Sequence, residues 1–243
     1  KMVGKDEVEV VLAGDLIARI AVQTSRQSGL SIVVTELLDF GGDEIYMQEE
    51  PKLTGKTFGE VLHMYEDSAI IGIVDKAGVV KLKPPMERKM EAGEQVVAVS
   101  EDDDTVRVSE LAKPPVDEAA IRKAAPASGT PENTLILGWN RGAETTVREL
   151  DKYVPKGSRT VVVADADAFE DAVVRIGKDM KNQAVEARRG DTTDRTLLDE
   201  LALTKWNHVM CLSYSDTMDP NQADASTLIT LLHLRDMAEH GGH

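Results

Sequence analysis

The hydrophobic positions in the first part of the chain change from a helical to an extended period. Leu16, Ile17 and Ile20 recur at the spacing of one helix face, whereas Ile45 and Met47 alternate with polar residues as in a strand. Glycine-containing turns separate the later apolar runs, so we predict a small α+β unit with antiparallel strands. Its predicted elements are helices over 15–27, 31–38 and 56–64, and strands over 44–48, 69–74, 79–82 and 95–99.

Apolar runs alternate with amphipathic helices in the last part of the chain. This alternation is typical of a parallel sheet with helices on both faces. The predicted fold class is therefore α/β, an incomplete doubly wound parallel sheet preceded by the small α+β unit. Four strands are predicted, whereas a full nucleotide-binding domain of this kind has about six, so the sheet is incomplete. The predicted strands cover 135–137, 160–164, 184–187 and 208–212, and the predicted helices cover 143–153, 169–180, 196–203 and 223–239.

A stretch rich in proline, alanine and small polar residues separates the two patterned regions. Lys113-Pro114-Pro115 lies near its start and the sequence AAPASGTP near its end, and we interpret 101–132 as a linker region. The acidic run Glu101–Asp104 lies at its beginning. This run is interpreted as a solvated charge run, with a cation site as the alternative.

Composition narrows the possible classes of function. The chain has 28 Lys and Arg against 43 Asp and Glu, a net charge of -15, and such a surface repels a phosphate backbone. Nucleic acid is therefore excluded as an expected partner, whereas cations are attracted. A single cysteine, Cys211, allows neither an intramolecular disulfide nor a CxxC zinc site, which fits a reducing compartment.

The ends of the sequence indicate a piece of a longer protein. The chain begins at Lys1 and closes inside a predicted helix. No run reaches the roughly 20 apolar residues that span a bilayer. We therefore expect flanking segments outside this sequence, which could carry a membrane region.

The turn after the first apolar run of the parallel region lies where a dinucleotide-binding domain carries GxGxxG. Asn140 replaces the middle glycine, and its Cβ stands where the backbone must approach pyrophosphate. A helix N-terminus still binds anions through its free N–H groups, and Arg141 can assist. Two interpretations stay open, a phosphate or mononucleotide ligand and a simple tight turn. The candidate ligand-binding residues are Gly138, Asn140, Arg141 and Gly142.

Aspartates follow the predicted parallel strands. The carboxyl ends of such strands line one ligand crevice, and Ca²⁺ takes roughly six to eight oxygen ligands in irregular geometry. We predict a calcium site formed by Asp165, Asp191 and Asp216, with Asp219 and Asp224 as alternative ligands. Helix capping is the competing interpretation of these aspartates. The predicted caps in this region are Asp167 and Asp194.

The sequence contains none of the common hydrolase or nucleotide-hydrolysing motifs, GxSxG, HExxH or a P-loop. Gly138 and Asp165 keep an NAD-dependent oxidoreductase as an alternative, since an acidic residue after the second strand suits a ribose hydroxyl. That activity needs a positioned acid or base, and the α+β region offers only His63. We therefore expect no enzyme.

Several stretches taken together resemble the cytosolic regulatory region of ion channels related to CASTOR and POLLUX. That region is built from RCK (regulator of K⁺ conductance, TrkA-like) units. The stretches lie in both halves of the chain and occur in the family's order. They are Gly14–Arg19, Leu53–Phe58, Gly93–Thr105, Leu135–Arg141, Gly190–Asp194 and Asp224–Asp236.

The resemblance implies four segments along the chain. Residues 1–40 would be crossover helices of a first RCK unit, and 41–110 its TrkA-C-like α+β lobe. Residues 111–131 would be a linker, and 132–243 the truncated Rossmann-like lobe of a second unit. In such proteins the units form a ring below a transmembrane pore. The apolar helix faces expected to pack against other units contain Leu16, Ile17, Ile20, Leu228, Leu231 and Leu232.

The expected function is a non-enzymatic, ligand-sensing gating region on the cytoplasmic face of a cation channel. Its expected partners are other RCK units in a homo-oligomeric ring and the pore of the same full-length chain. Calcium is favoured as effector over NAD or another nucleotide, because Asn140 interrupts the glycine motif. The alternatives are a soluble gating subunit of a potassium transporter and, more weakly supported, an NAD-dependent oxidoreductase.

Overall fold

The computed structural model describes residues 13–39, 41–109, 120 and 129–241. The described residues form two compact units. One contains residues 31–109, and the other combines helix α1 (Ala13–Arg26) with residues 129–241. Most of the predicted linker lies outside the described residues.

An antiparallel sheet of four strands forms the centre of the first of these units. Its elements are α2 (Leu30–Glu36), β1 (Glu44–Glu49), α3 (Phe58–Val61), β2 (Ala69–Val74), β3 (Val80–Leu82) and β4 (Gln95–Ser100). The strand order is β1-β4-β2-β3, and every neighbouring pair is antiparallel, which confirms the predicted pairing. Gly72 allows β3 to approach β2, because an added Cβ would lie only 2.7 Å from the Lys81 carbonyl oxygen.

One face of this sheet carries the hydrophobic core of the unit. Phe58 of α3 packs in a buried cluster with Ile73 of β2 and Val96 of β4. Ile45 and Met47 of β1 are about half exposed, because they alternate with the residues that point into this cluster. The alternation that predicted β1 is therefore confirmed. One face of the strand packs on the hydrophobic cluster and the other face is exposed.

A buried ion pair holds together the segment that leads into β4. Glu94 is only 5% exposed, and its Oε2 accepts a hydrogen bond from Arg88 Nη1 at 2.8 Å and one from the Glu91 N–H at 2.9 Å. The second guanidinium nitrogen of Arg88 donates to Glu94 Oε1. The hydrogen bonds from Arg88 hold the pKa of Glu94 below its usual range. The pair therefore stabilises the fold above the ordinary glutamate pKa of about 4.3, and this stabilisation is lost as the pH falls through the lower folded value.

Replacing Glu94 with glutamine is expected to lower the free energy of unfolding at pH 7 by about 2–3 kcal/mol, because Arg88 keeps its charge without a carboxylate partner. The difference from wild type should shrink below about pH 4, where the carboxylate of the wild type also becomes protonated. Urea unfolding followed by circular dichroism, at pH 7 and below about pH 4, measures this difference in the free energy of unfolding. Glu91→Gln is the matched control, since Glu91 is exposed in its pair with Lys76 and should cost less than about 0.5 kcal/mol. Equal losses in the two variants would contradict the importance of the buried pair.

The second unit contains a four-stranded parallel sheet, as predicted. Its elements after α1 are β5 (Asn133–Leu137), α4 (Ala143–Tyr153), β6 (Ser158–Ala164), α5 (Phe169–Gly177), β7 (Gln183–Arg189), α6 (Arg195–Leu201), β8 (His208–Cys211) and α7 (Pro220–Gly241). The strand order is β7-β6-β5-β8, and all three neighbouring pairs are parallel. This is the order of the first four strands of a dinucleotide-binding fold.

Helices cover both faces of the parallel sheet. On one face, Val22 of α1, Val147 of α4 and Phe169 of α5 belong to one buried cluster. On the other face, Leu198 of α6 and Leu234 of α7 pack in a second cluster. Helices therefore bury side chains on both sides of the sheet, and the predicted layered architecture is confirmed. The apolar faces predicted for α1 and α7 are an exception, since most of their side chains stay about half exposed or more.

Polar contacts fix the C-terminal end of α1 to the start of the sheet. Arg26 donates to both carboxylate oxygens of Glu132, with Nη2 3.0 Å from Oε1. The ring of His208 in β8 lies between the Ser25 carbonyl oxygen, 3.0 Å from Nδ1, and Glu132 Oε2, 3.2 Å from Nε2. Burial raises the pKa of Glu132, but the hydrogen bonds and charges of Arg26 and His208 outweigh it and lower the pKa overall. Of the predicted segment 1–40, α1 thus packs with the parallel sheet, and its assignment to a first RCK unit stays a prediction.

The structure confirms one of the two predicted helix caps and contradicts the other. Asp194 caps α6 as predicted, since its carboxylate accepts a hydrogen bond from the Thr196 N–H at 2.9 Å. The predicted cap at Asp167 is wrong. Ala168 occupies the N-cap position of α5 with a left-handed φ of 57°, and no side chain caps this helix.

Candidate functional site

The carboxyl ends of β5 and β8 meet at the point where the strand order changes direction. From β5 the sheet adds β6 and β7 on one side and β8 on the other. The loops after β5 and β8 leave from this point, and in open parallel sheets ligands bind there. The predicted turn 138–142 and the loop 212–219 both lie at this edge.

Gly138 allows the two loops to come into contact. Its φ is 96°, and an added Cβ would lie 1.9 Å from the carbonyl oxygen of Leu212. The Gly138 N–H donates to the Val163 carbonyl at 2.8 Å, and the Leu212 N–H donates to the Leu137 carbonyl at 2.7 Å. Hydrogen bonding of the sheet therefore continues up to the close contact. The first glycine of the predicted motif is explained by this approach of two backbones, without a ligand.

Asn140 links the turn to the loop after β8. Its Nδ2 donates to the Ser213 carbonyl at 2.9 Å, and its Oδ1 accepts from the Gly142 N–H at 2.9 Å. The second bond satisfies one of the backbone amides that the start of α4 leaves free. An amide that could bind a phosphate is thus already occupied.

Arg141 and Asp216 bind each other across the same gap. The Arg141 backbone N–H donates to Asp216 Oδ2, and Arg141 Nε donates to Oδ1 at 2.9 Å. The backbone bond and then the side-chain bond lower the pKa of Asp216. The arginine expected to assist an anion and the aspartate expected to bind a cation therefore neutralise each other.

A groove of about 350 Å³ lies beside this pair. One of its walls belongs to α1 and the other to the turn and the loop after β8. Its lining includes Ile17, Ala18, Ala21, Arg141, Thr146 and Asp216. The space open to a ligand at this edge of the sheet therefore depends on the position of α1.

Asp165, at the end of β6, is paired with an arginine from the end of β7. Arg189 Nη1 donates to Asp165 Oδ1 at 3.1 Å, and the same guanidinium donates to Glu170 and lies 5.6 Å from the centre of the Phe169 ring. The Asp165 backbone N–H donates to the Tyr214 hydroxyl at 3.3 Å. The carboxylate that could bind a ribose hydroxyl or a cation is thus engaged by Arg189.

The remaining predicted calcium ligands have local partners or lie exposed. Asp191 Oδ1 accepts from the N–H and the hydroxyl of Thr193 at 2.8 and 2.7 Å. Asp219 accepts from the Asn221 N–H at the start of α7, and Asp224 is exposed on that helix. Within the described ranges, no group of three or more His, Cys, Asp and Glu side chains has the arrangement of a metal site. The structure does not bring Asp165, Asp191 and Asp216 together as one ligand set, and the calcium site stays a prediction.

Sequence reasoning missed the partners that engage these carboxylates. Arg189 ends β7, so the rule that selected the strand-end aspartates could have selected it as well. Tyr214 and Ser213 carry no sequence signal, because their contacts arise only from the path of the loop after β8. Tyr214 accepts from the Asp165 N–H and the Ser213 carbonyl accepts from Asn140.

Comparisons with known proteins show which proteins this chain resembles. The sequence profile described as "Castor and Pollux, part of voltage-gated ion channel" matches residues 14–117. Residues 14–117 are therefore similar to this part of the Castor and Pollux channels. Over 98% of its length the chain is 31% identical to the probable ion channel CASTOR of Oryza sativa subsp. japonica and 30% identical to the ion channel CASTOR of Lotus japonicus. It spans only 27% and 28% of these two relatives, so it corresponds to about a quarter of a CASTOR protein.

A solved structure shares the fold of this Castor/Pollux-related chain. The human SLO3 gating ring superposes on 90% of the chain with a TM-score of 0.59 at 14% sequence identity, using 47% of the SLO3 chain. This likeness confirms the predicted α/β fold with a Rossmann-like parallel sheet. No helix of the Castor/Pollux-related chain, within the residues described, combines the length and the apolar character that a bilayer crossing requires.

Replacing Gly138 with alanine is expected to lower the free energy of unfolding by more than about 3 kcal/mol, because the new Cβ would overlap the Leu212 carbonyl oxygen. Gly142→Ala is the matched control in the same turn. Gly142 has a φ of -80°, and its added Cβ would meet only the Asn140 side chain at 3.2 Å. Urea unfolding followed by the fluorescence of Trp139 and Trp206 compares the two variants. A loss in Gly138→Ala no larger than that in Gly142→Ala would contradict the role of the close contact.

Proposed function

We propose that this chain is a non-enzymatic regulatory segment on the cytoplasmic face of a cation channel, and that it couples the binding of an effector to pore opening. The observation that carries the proposal is the match to CASTOR ion channels over 98% of the chain. The fold shared with the SLO3 gating ring supports it. Because the chain covers about a quarter of CASTOR, the pore would belong to other parts of a longer protein.

The proposal places the chain in a homo-oligomeric ring that acts on the pore. Two helices support such an assembly through exposed apolar side chains. Ile17 of α1 is 66% exposed and Leu16 about half exposed. On α7, Leu228, Leu231 and Leu232 are about half exposed. Apolar groups clustered on a surface favour association, and a second copy of the chain would bury them.

Calcium is the effector in this proposal, and its binding would depend on the conformation of the site. Asp216 and Asp165 are each neutralised by an arginine. A cation could use these carboxylates only in a conformation that separates them from Arg141 and Arg189. Binding to one conformation and not to the other shifts the population toward the bound form, which is the requirement for gating by a ligand.

The function is tested on the full-length protein that contains this chain, reconstituted in liposomes. We expect a cation flux above that of protein-free liposomes, and a several-fold change of this flux when calcium is present on the cytoplasmic side. Replacing Asp165, Asp191 and Asp216 together with alanine should abolish the calcium response and leave the basal flux.

The possible failures of this experiment separate the parts of the proposal. No flux from the folded, inserted protein would contradict the channel. A flux that does not respond to calcium would contradict the effector alone. A full-length protein that stays in the soluble fraction after membrane separation would support a separate gating subunit instead.

Assembly is tested by a charge placed on α1. Ile17→Asp is expected to reduce the mass of the oligomer at micromolar concentration, because an ionised group cannot be buried at an apolar contact without a partner. Val174→Asp is the matched control, since Val174 of α5 is exposed to a similar extent, 60%, but lies outside the two helices of the proposed contact. Light scattering of the 243-residue chain compares the variants. A wild-type monomer, or an equal loss of mass in both variants, would contradict the proposed contact.

A further inference from the structure

A carboxylate of the chain itself, that of Asp216, occupies the place before α4 where a bound anion would lie. Two donors of Arg141, its backbone N–H and its Nε, converge on the carboxylate of Asp216. The Gly142 N–H is taken by the Asn140 side chain. In a fold with this strand order, the same turn binds a pyrophosphate through its amides. The oxygens of Asp216 therefore lie where the oxygens of a phosphate would accept these hydrogen bonds.

The position of Asp216 is fixed by several contacts of the surrounding loops. Gly138 brings the turn against Leu212, and Asn140 binds the Ser213 carbonyl three residues before Asp216. The Asp216 side chain is only 22% exposed, whereas that of Arg141 is 88% exposed. The carboxylate thus points into the turn, whereas the guanidinium is open to the solvent.

We propose that Asp216 is an internal ligand that excludes phosphate groups from the turn 138–142. A phosphate entering the turn would compete with a carboxylate for the same two donors, and the two anions would repel each other. Asp216 is therefore a specificity-determining residue. With Asp216 in place the turn is closed to the phosphates of a nucleotide, and without it Arg141 offers its backbone N–H and guanidinium to an external anion.

Titration calorimetry of the 243-residue chain with inorganic phosphate, and separately with NAD, tests this assignment. The wild type is expected to bind neither measurably. Asp216→Ala is expected to bind phosphate with an affinity about ten-fold or more above that of the wild type. The matched control is Asp167→Ala, which removes the same charge from an exposed turn at the same edge of the sheet. This control should behave as the wild type.

A second change identifies the donor. Adding Arg141→Gln to Asp216→Ala should remove the gain, since the anion then loses the guanidinium. If Asp216→Ala does not fold, as judged by circular dichroism, Asp216→Asn replaces it. The asparagine removes the charge but keeps an oxygen that can accept from the Arg141 N–H, so a smaller gain in the same direction is expected.

Four results would overturn the assignment. The first is wild-type binding of phosphate or NAD as tight as that of the variant, and the second is no gain in a folded variant at Asp216. The third is an equal gain in Asp167→Ala, which would assign the effect to net charge. The fourth is a gain that survives the loss of Arg141. None of these results bears on the proposed channel role, which rests on the relatives and on flux.

Discussion

The approach of Gly138 to the carbonyl of Leu212 sets the distance between the ends of β5 and β8, and the contacts between the turn and the loop depend on it. Only glycine permits this approach at a φ of 96°. Once the two backbones touch, Asn140 reaches Ser213 and Arg141 reaches Asp216. A backbone constraint thus replaces the ligand that holds these loops in a dinucleotide-binding domain. The glycine of a binding motif can therefore persist for packing alone.

Acidic composition and local charge pairing act at different scales in this chain. The net charge of -15 describes the whole surface, yet the aspartates nearest the change of strand order have arginine partners. Arg141 and Arg189 both come from strand ends, as the aspartates do. Local pairing therefore removes the charge of these two carboxylates without changing the acidic character of the chain as a whole.

The secondary structure is largely predictable from the sequence, because each buried face repeats its period over several turns or pairs. Helix α4 begins and ends where predicted, and α5 begins at Phe169 as predicted but ends at Gly177 instead of Met180. The left-handed backbone of its N-cap, Ala168, has no local sequence signal. The candidate site is predictable only in part. Strand-end residues such as Asp165 follow from topology, but the pairing of Arg141 with Asp216, 75 residues away, depends on the path of a loop. The packing of α1 against the parallel sheet is also not predictable from the sequence. Its buried residues are Ala18 and Val22, whereas Leu16 and Ile17 of the predicted apolar face are exposed.

The position of α1 in that core has a consequence for synthesis on the ribosome. Val22 completes a cluster whose last strand contains Met210, so the helix leaves the ribosome well before its binding surface exists. At about 5–20 residues per second, the roughly 180 residues between α1 and β8 take about 10–40 s to translate. Helix α4 is made before β8, so α1 can pack against α4 during part of this interval, but its contacts with β8 are still missing. The core beneath α1 is therefore completed only after β8 has been made.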